Sequence, residues 1–295
     1  MGFRSSTSIV KATALEILSE PLTLLVALAA LALAVFAPTF HYHQFGEATR
    51  MARDAGLSAA FTGGLVLAVF GTIRAFRREM ESGTLEMALS HPVTRCEFFV
   101  AKTFGAFLSC LVFEVIVFGT ALAMVEGAAV GGRLSERTGD IARIWGPSVA
   151  TGVAVILVPL VAGAFLNRFF RVRFVLSAIV AAALIACAAG ALSVVREPAT
   201  LLPYFPAVLP TLAFLLVFVS ASAAFAVRLG PNAAASASGV LFAATLPFAG
   251  NYYLADSLAR GAALSHAAVV LPVAAALPAI AAFVILGVKW TTEKT

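Results

Sequence analysis

Three groups of residues in this sequence have the types and spacing for chemistry. Glu114 is the only formal charge between positions 103 and 125, in an otherwise apolar stretch. A carboxyl so placed either lines a path for protons or substrate, or acts as a polar clamp bonded to a Ser or Thr of another segment. Both readings start from the cost of a charge at the centre of a membrane span, about 2.5–3.5 kcal/mol on insertion scales. The second group is the stretch from Arg74 to Lys102, which holds nine of the 35 formally charged residues, mixed in sign. The third is His41-x-His43, two imidazoles with no third ligand nearby in sequence, which reads as an interfacial loop rather than a metal site.

The sequence lacks the other usual signs of catalysis. It has no Gly-Lys dipeptide, hence no Walker-type phosphate cradle. It has no nucleophile elbow and no His/Glu metalloprotease pairing. Cys96, Cys110 and Cys187 form no C-x-x-C pair and read as small buried apolar residues. The expectation is a chain that is not itself an enzyme and holds no metal or cofactor.

The elements that must position these groups follow from composition. Hydrophobic residues make up 61% of the 295 and charged residues 12%, where a soluble domain is about 45–50% apolar and about 25% charged. A soluble enzyme and a disordered chain are both excluded. A pI near 9.4 does not point to nucleic acid, because the charges sit in a few short segments. Apolar windows near the roughly 20 residues a span needs recur at 21–37, 57–73, 103–125, 147–166, 174–195, 207–227, 233–253 and 267–288. Open strands cannot cross lipid, so the fold class is all-α, a polytopic helical membrane bundle with eight spans. Pro203, Pro206 and Pro210 leave an alternative of six spans plus a re-entrant hairpin within 198–253.

With the N-terminus in the cytoplasm, 13 Lys and Arg fall inside and seven outside, as the positive-inside rule requires. Both termini are then cytoplasmic, and membrane lipid is the main surrounding. Residues 1–20 do not read as a cleavable signal, because Glu16 and Glu20 interrupt the apolar run. They read instead as an amphipathic surface helix, with Thr13, Glu16 and Glu20 on the polar face. Residues 21–295 form one transmembrane domain, with a cytoplasmic segment at 74–97 and an outer loop at 126–146.

The segment that begins at Arg74 has a legible local structure. Ser82-Gly83 interrupts a helix, and Gly83 can cap a short one with Glu86 at its third position, facing the positive helix end. Ser90-His91-Pro92 ends that short helix. Thr94-Arg95-Cys96-Glu97 is a T-x-x-E capping box that opens the third span. A short helix held under the membrane suits docking of another protein. Read from spacing alone, it is equally a solvated connector.

The order of residues says more. Glu81, Gly83, Thr84, Leu85, Glu86, Leu89, Pro92, Val93, Arg95, Glu97 and Lys102 fall on an E-x-G-T-L-E-x-L-L-x-x-P-V-x-R-x-E-x-x-x-x-K pattern, with Ala88 the departure. This resembles the permease subunits of exporter-type ATP-binding-cassette transporters. The surface helix and the basic turn Phe165–Arg173 are similar to that family too. The resemblance implies a coupling helix near 83–90 docked on a separate cytoplasmic ATPase subunit, which binds the ATP and Mg. It also implies a second permease copy or a homologous permease. Glu79, Glu81, Gly83, Thr84, Glu86, Pro92, Arg95 and Lys102 are then the coupling residues. Competing readings are a proton-coupled secondary transporter using Glu114, or a non-transporting membrane scaffold.

Overall fold

A computed structural model describes residues 2–36, 48–81, 94–138, 141–245 and 266–293 of the chain. Those residues are almost entirely helical, and none of them is in a strand. The helices are α1 (Gly2–Leu18), α2 (Pro21–Phe36), α3 (Ala48–Val66), α4 (Thr72–Glu81), α5 (Arg95–Thr138), α6 (Ile141–Phe170), α7 (Phe174–Arg196), α8 (Phe205–Arg228), α9 (Pro231–Thr245) and α10 (His266–Glu293). Among the described residues, six helical stretches are long and apolar enough to cross a bilayer: Thr49–Glu81, Arg95–Val130, Ala150–Phe170, Phe174–Arg196, Pro198–Arg228 and Pro272–Thr291. α1 and α2 form a seventh candidate as a pair bent by 62°. The sequence window at 233–253 is described only as far as Thr245, as the 15-residue α9.

Local chemistry explains most helix ends. α1 stops at Ser19-Glu20, where the Ser19 hydroxyl donates back to the Leu15 carbonyl at 2.5 Å. Pro21 then opens α2 at a position where its missing N–H costs nothing. The proline cluster behaves the same way. Pro203 sits in a 3₁₀ turn, Leu202–Tyr204, and Pro206 lies in the first turn of α8. Only Pro210 is inside a helix. The stretch Pro198–Arg228 is thus a single candidate span with a tightened start.

α5 is the hub. It packs on α1, α3, α6 and α7, and Phe113, Ile116 and Val117 are fully buried in the main apolar core. Its 44 residues rise about 66 Å, twice the roughly 30 Å of bilayer hydrocarbon. It therefore runs on through 126–138, where a loop was expected, because no proline or helix-ending cap interrupts it there. Side chains from 131 to 149 lie outside the described residues. α5 and α7 cross with backbones almost touching: a Cβ on Gly119 would lie 2.4 Å from the Ala186 carbonyl. Only a residue without a side chain permits that approach. α6 leaves Leu157, Val161, Phe165 and Phe169 exposed, an apolar face suited to lipid. Cys110 is buried, but Cys96 and Cys187 are exposed, against the reading of three buried thiols; all three are free.

The bundle has two distinct ends. At one, Arg53 sits 5.7 Å from the Tyr204 ring, and Glu126 accepts a 2.6 Å hydrogen bond from Ser193. At the other lie the ends of α4 and α10, the start of α5, the α6–α7 turn and α1.

Candidate functional site

The basic end of the bundle is built around the segment that interrupts α4 and α5. α4 is described as far as Glu81, and the expected break at Ser82-Gly83 lies outside the described residues. α5 opens with the expected capping box in both directions. The Thr94 amide donates to Glu97 Oε2 at 3.0 Å, and the Glu97 amide donates to Thr94 Oγ1 at 3.2 Å. Arg95 is thus the first residue of a firmly started helix. Gly83, Thr84, Glu86 and Pro92 lie outside the described residues.

Glu79, Glu81 and Lys102 are described, and the structure brings two of them together. Lys102 is fully buried, and its Nζ lies 2.6 Å from Glu79 Oε1. Its ammonium also sits 5.4 Å from the Phe76 ring centre and 5.9 Å from that of Phe98. A buried ammonium needs such partners, a carboxylate and aromatic faces, to offset lost hydration. The pair ties the last turns of α4 to the second turn of α5, across the two ends of the segment between them. Glu81 instead pairs within its own helix, with Arg77 at 3.1 Å.

Residues that spacing alone did not single out complete the arrangement. Glu16 on α1 and Glu20 in the elbow that follows it meet Arg78 and Arg74, one turn apart on α4, at 3.5 and 3.7 Å. The matched four-residue spacing of opposite charges was the available signal. Partial burial raises the Glu16 carboxyl above its ordinary range, with Lys102 and Arg78 pulling the other way. α1 also presses on α5. A Cβ on Gly105 would lie 2.7 Å from the Val10 carbonyl and 2.8 Å from Thr13 Cβ. That contact buries Thr13, expected on the polar face, because a glycine opposite leaves a slot for it. Ser109 Oγ adds a 3.3 Å hydrogen bond to the Ala14 carbonyl. The result is a three-helix clamp of α1, α4 and α5.

The basic turn between α6 and α7 closes this end. Arg171 takes a left-handed φ of 55°, and Asn167 Nδ2 donates to the Val172 carbonyl at 2.8 Å, fastening the turn.

Glu114 is apart from this cluster, midway along α5 and buried. It faces the junction of α3, α5 and α8: a Cβ on Gly64 would lie 2.5 Å from its Oε1 and 2.9 Å from a Leu215 methyl. Its Oε1 has no hydrogen-bond partner among the described residues, so no Ser or Thr clamp is seen at that oxygen. No group of three metal-ligating side chains occurs among the described residues.

A family model described as "ABC-2 family transporter protein" matches residues 17–190. The chain belongs to the ABC-2 transporter family. The match takes in α2 to α6, most of α7, both flanks of residues 82–93 and Glu114. It bears out the resemblance to an ATP-binding-cassette permease, and with it a multi-pass membrane protein of a family that works with an ATPase partner. No curated protein and no solved structure matches the chain.

Proposed function

We propose that this chain is the permease subunit of an exporter in the cytoplasmic membrane, driven by ATP that a separate cassette ATPase hydrolyses. The observation that carries the reading is the clamp. The two helix ends that flank residues 82–93 are locked to each other through Glu79 and Lys102, and to α1 through two further ion pairs. A push on that segment therefore moves α4 and α5 as one body and cannot dissipate in a loose loop. Gly83, Thr84 and Glu86 would touch the ATPase, with Pro92 and Arg95 fixing the return into α5. ATP and Mg bind on the partner, and this chain contributes movement rather than chemistry. Two permease copies, identical or homologous, would enclose the path.

Eight crossings with both termini in the cytoplasm fit the packing. Phe283 of α10 meets Phe225 of α8 at 5.8 Å, and Gly287 abuts Phe99 at the start of α5, so α8 and α10 both finish at the basic end. α9 leaves that end antiparallel to α8, with Ser238 3.0 Å from Ser222 and Phe242 6.2 Å from Phe218. A chain that ends α8 and α10 on one side has to return between them, and α9 supplies the start of that return. The Lys and Arg excess supports the basic end as the cytoplasmic one.

The test is an affinity pull-down in mild detergent with mass spectrometry, on the native chain and Glu86→Lys. We expect a Walker-motif ATPase with the native chain. With Glu86→Lys, transport is lost while insertion is unchanged. Full transport by the variant, or by the purified chain alone in vesicles, would refute the reading.

A second reading rests on Glu114, whose unbonded Oε1 suits a group that carries a proton. In that case Glu114→Gln abolishes transport and vanadate has no effect. If the ATP-driven reading is right, vanadate stops transport whatever stands at 114.

A further inference from the structure

An open cleft of about 490 Å³ lies between α1, the elbow before α2, α4 and the start of α7. Glu16, Glu20, Arg74, Arg78 and Arg173 line it, together with the apolar Leu15. The charges are layered. The two carboxylate side chains are 23% and 13% exposed and form the floor, whereas Arg78 and Arg74 are 70% and 61% exposed and form the rim. Three guanidiniums against two carboxylates leave one positive charge over. Each rim guanidinium meets its carboxylate through one nitrogen, at 3.5 and 3.7 Å, and has further N–H donors to offer a ligand while it stays in that pair. Arg173 makes no ion pair among the described residues. On the floor, Glu20 Oε2 is buried, with Arg74 Nε at 3.7 Å and no hydrogen bond among the described residues. A buried carboxylate oxygen left in that state is costly and calls for a donor.

The height of the cleft narrows the ligand. Pro21 lines the cleft, where charged α1 gives way to uncharged α2, a boundary that matches the change from headgroup to hydrocarbon. Leu15 is exposed along one wall, and the turn that holds Arg173 follows the exposed Phe165 and Phe169 of α6, surfaces an acyl chain can lie on. A group that offers phosphate oxygens to guanidiniums and an N–H donor to a buried carboxylate is a zwitterionic phosphoamine. A primary ammonium brings three donors, whereas a choline headgroup brings none. We infer that this cleft binds the headgroup of an aminophospholipid such as phosphatidylethanolamine, with the ammonium on Glu20 and the phosphate among Arg74, Arg78 and Arg173. The lipid would sit as a wedge between α1 and α4, whatever substrate the chain moves.

The experiment is native mass spectrometry of the full chain, delipidated in detergent and offered phosphatidylethanolamine, phosphatidylcholine and phosphatidylglycerol in equal amounts. Soluble glycerophosphoethanolamine serves as competitor. Phosphatidylethanolamine should be retained first. Glu20→Gln should cut its preference over phosphatidylcholine by roughly tenfold, the worth of one charge-assisted hydrogen bond. Arg173→Gln should weaken all three lipids together. Melting of both variants without lipid should match the native chain, which excludes simple misfolding. The proposal is overturned if Glu20→Gln keeps the native preference, if phosphatidylglycerol is retained best, or if the soluble headgroup displaces the lipid at equal concentration.

Discussion

Replacing Glu79 by Gln leaves the Lys102 ammonium fully buried, with two aromatic faces and, as counter-charge, only the Glu16 carboxylate, which makes no ion pair with it. Removing one partner of a buried ion pair costs about 3–5 kcal/mol. The aromatic faces can return part of that, about 0.5–2 kcal/mol. A net loss of about 1–4.5 kcal/mol is therefore expected for Glu79→Gln in a detergent unfolding titration. Lys102→Met should cost less, because Glu79 is 29% exposed and can reach water when freed. The double variant Glu79→Gln with Lys102→Met removes the uncompensated charge and should recover most of the stability, since buried pairs can often be replaced by apolar groups at little cost. Coupling behaves differently. The double variant has lost the link between α4 and α5, so ATPase-driven transport should stay impaired although the fold is restored. The combination of recovered stability with lost coupling is the signature of a strut. Two results would refute the reasoning: a Glu79→Gln cost below about 1 kcal/mol, the value of an exposed pair, or a double variant that transports normally.

Two further substitutions probe the other joints of the clamp. Gly105→Leu puts a side chain where the Val10 carbonyl and Thr13 Cβ already lie, at 2.7 and 2.8 Å from a bare Cβ. Overpacking of this kind costs about 1–3 kcal/mol, and cysteine cross-linking between α1 and α5 should fall while the spans still insert. Thr94→Ala removes the acceptor for the Glu97 amide and should cost about 1 kcal/mol; Thr94→Ser should restore it, and failure to do so would show that the capping box does not hold the start of α5.

What could be read from the sequence was local. The start of α5 follows from Thr94 and Glu97 three residues apart. The proline-rich start of Pro198–Arg228 was legible as a place of irregular helix for the same reason. The misses are tertiary. Lys102 lies next to the polar segment in sequence, which suggests an ordinary interfacial lysine, and only the approach of α4 makes it the most deeply buried charge of the site. Thr13 was assigned to water by helical periodicity, but periodicity cannot know that Gly105 stands opposite. The continuation of α5 through 126–138 was missed because its Glu, Arg and Ser residues read as loop, although Glu and Arg are good helix formers.

The stiffness of the clamp has a consequence for where the spans can bend. α4 is bound to α1 and α5 by ion pairs at three points, so relative motion within that unit is opposed. The five residues Leu67–Gly71 directly above it form a π-helical turn, where the backbone ladder is wider than in an α-helix. This turn is also where α1 touches the second span, since a Cβ on Gly71 would lie 3.2 Å from an Ile17 methyl. A force applied at the coupling segment thus meets a rigid arm first and an irregular turn second. Gly64, less than one helical turn beyond, packs directly against the Glu114 carboxyl. Any tilt that the π turn allows would change the distance between that backbone and the buried carboxyl before it changed anything else in the core. Under the function proposed above, the charged end and the buried Glu114 would be two ends of one lever arm, with the irregular turn between them as its pivot.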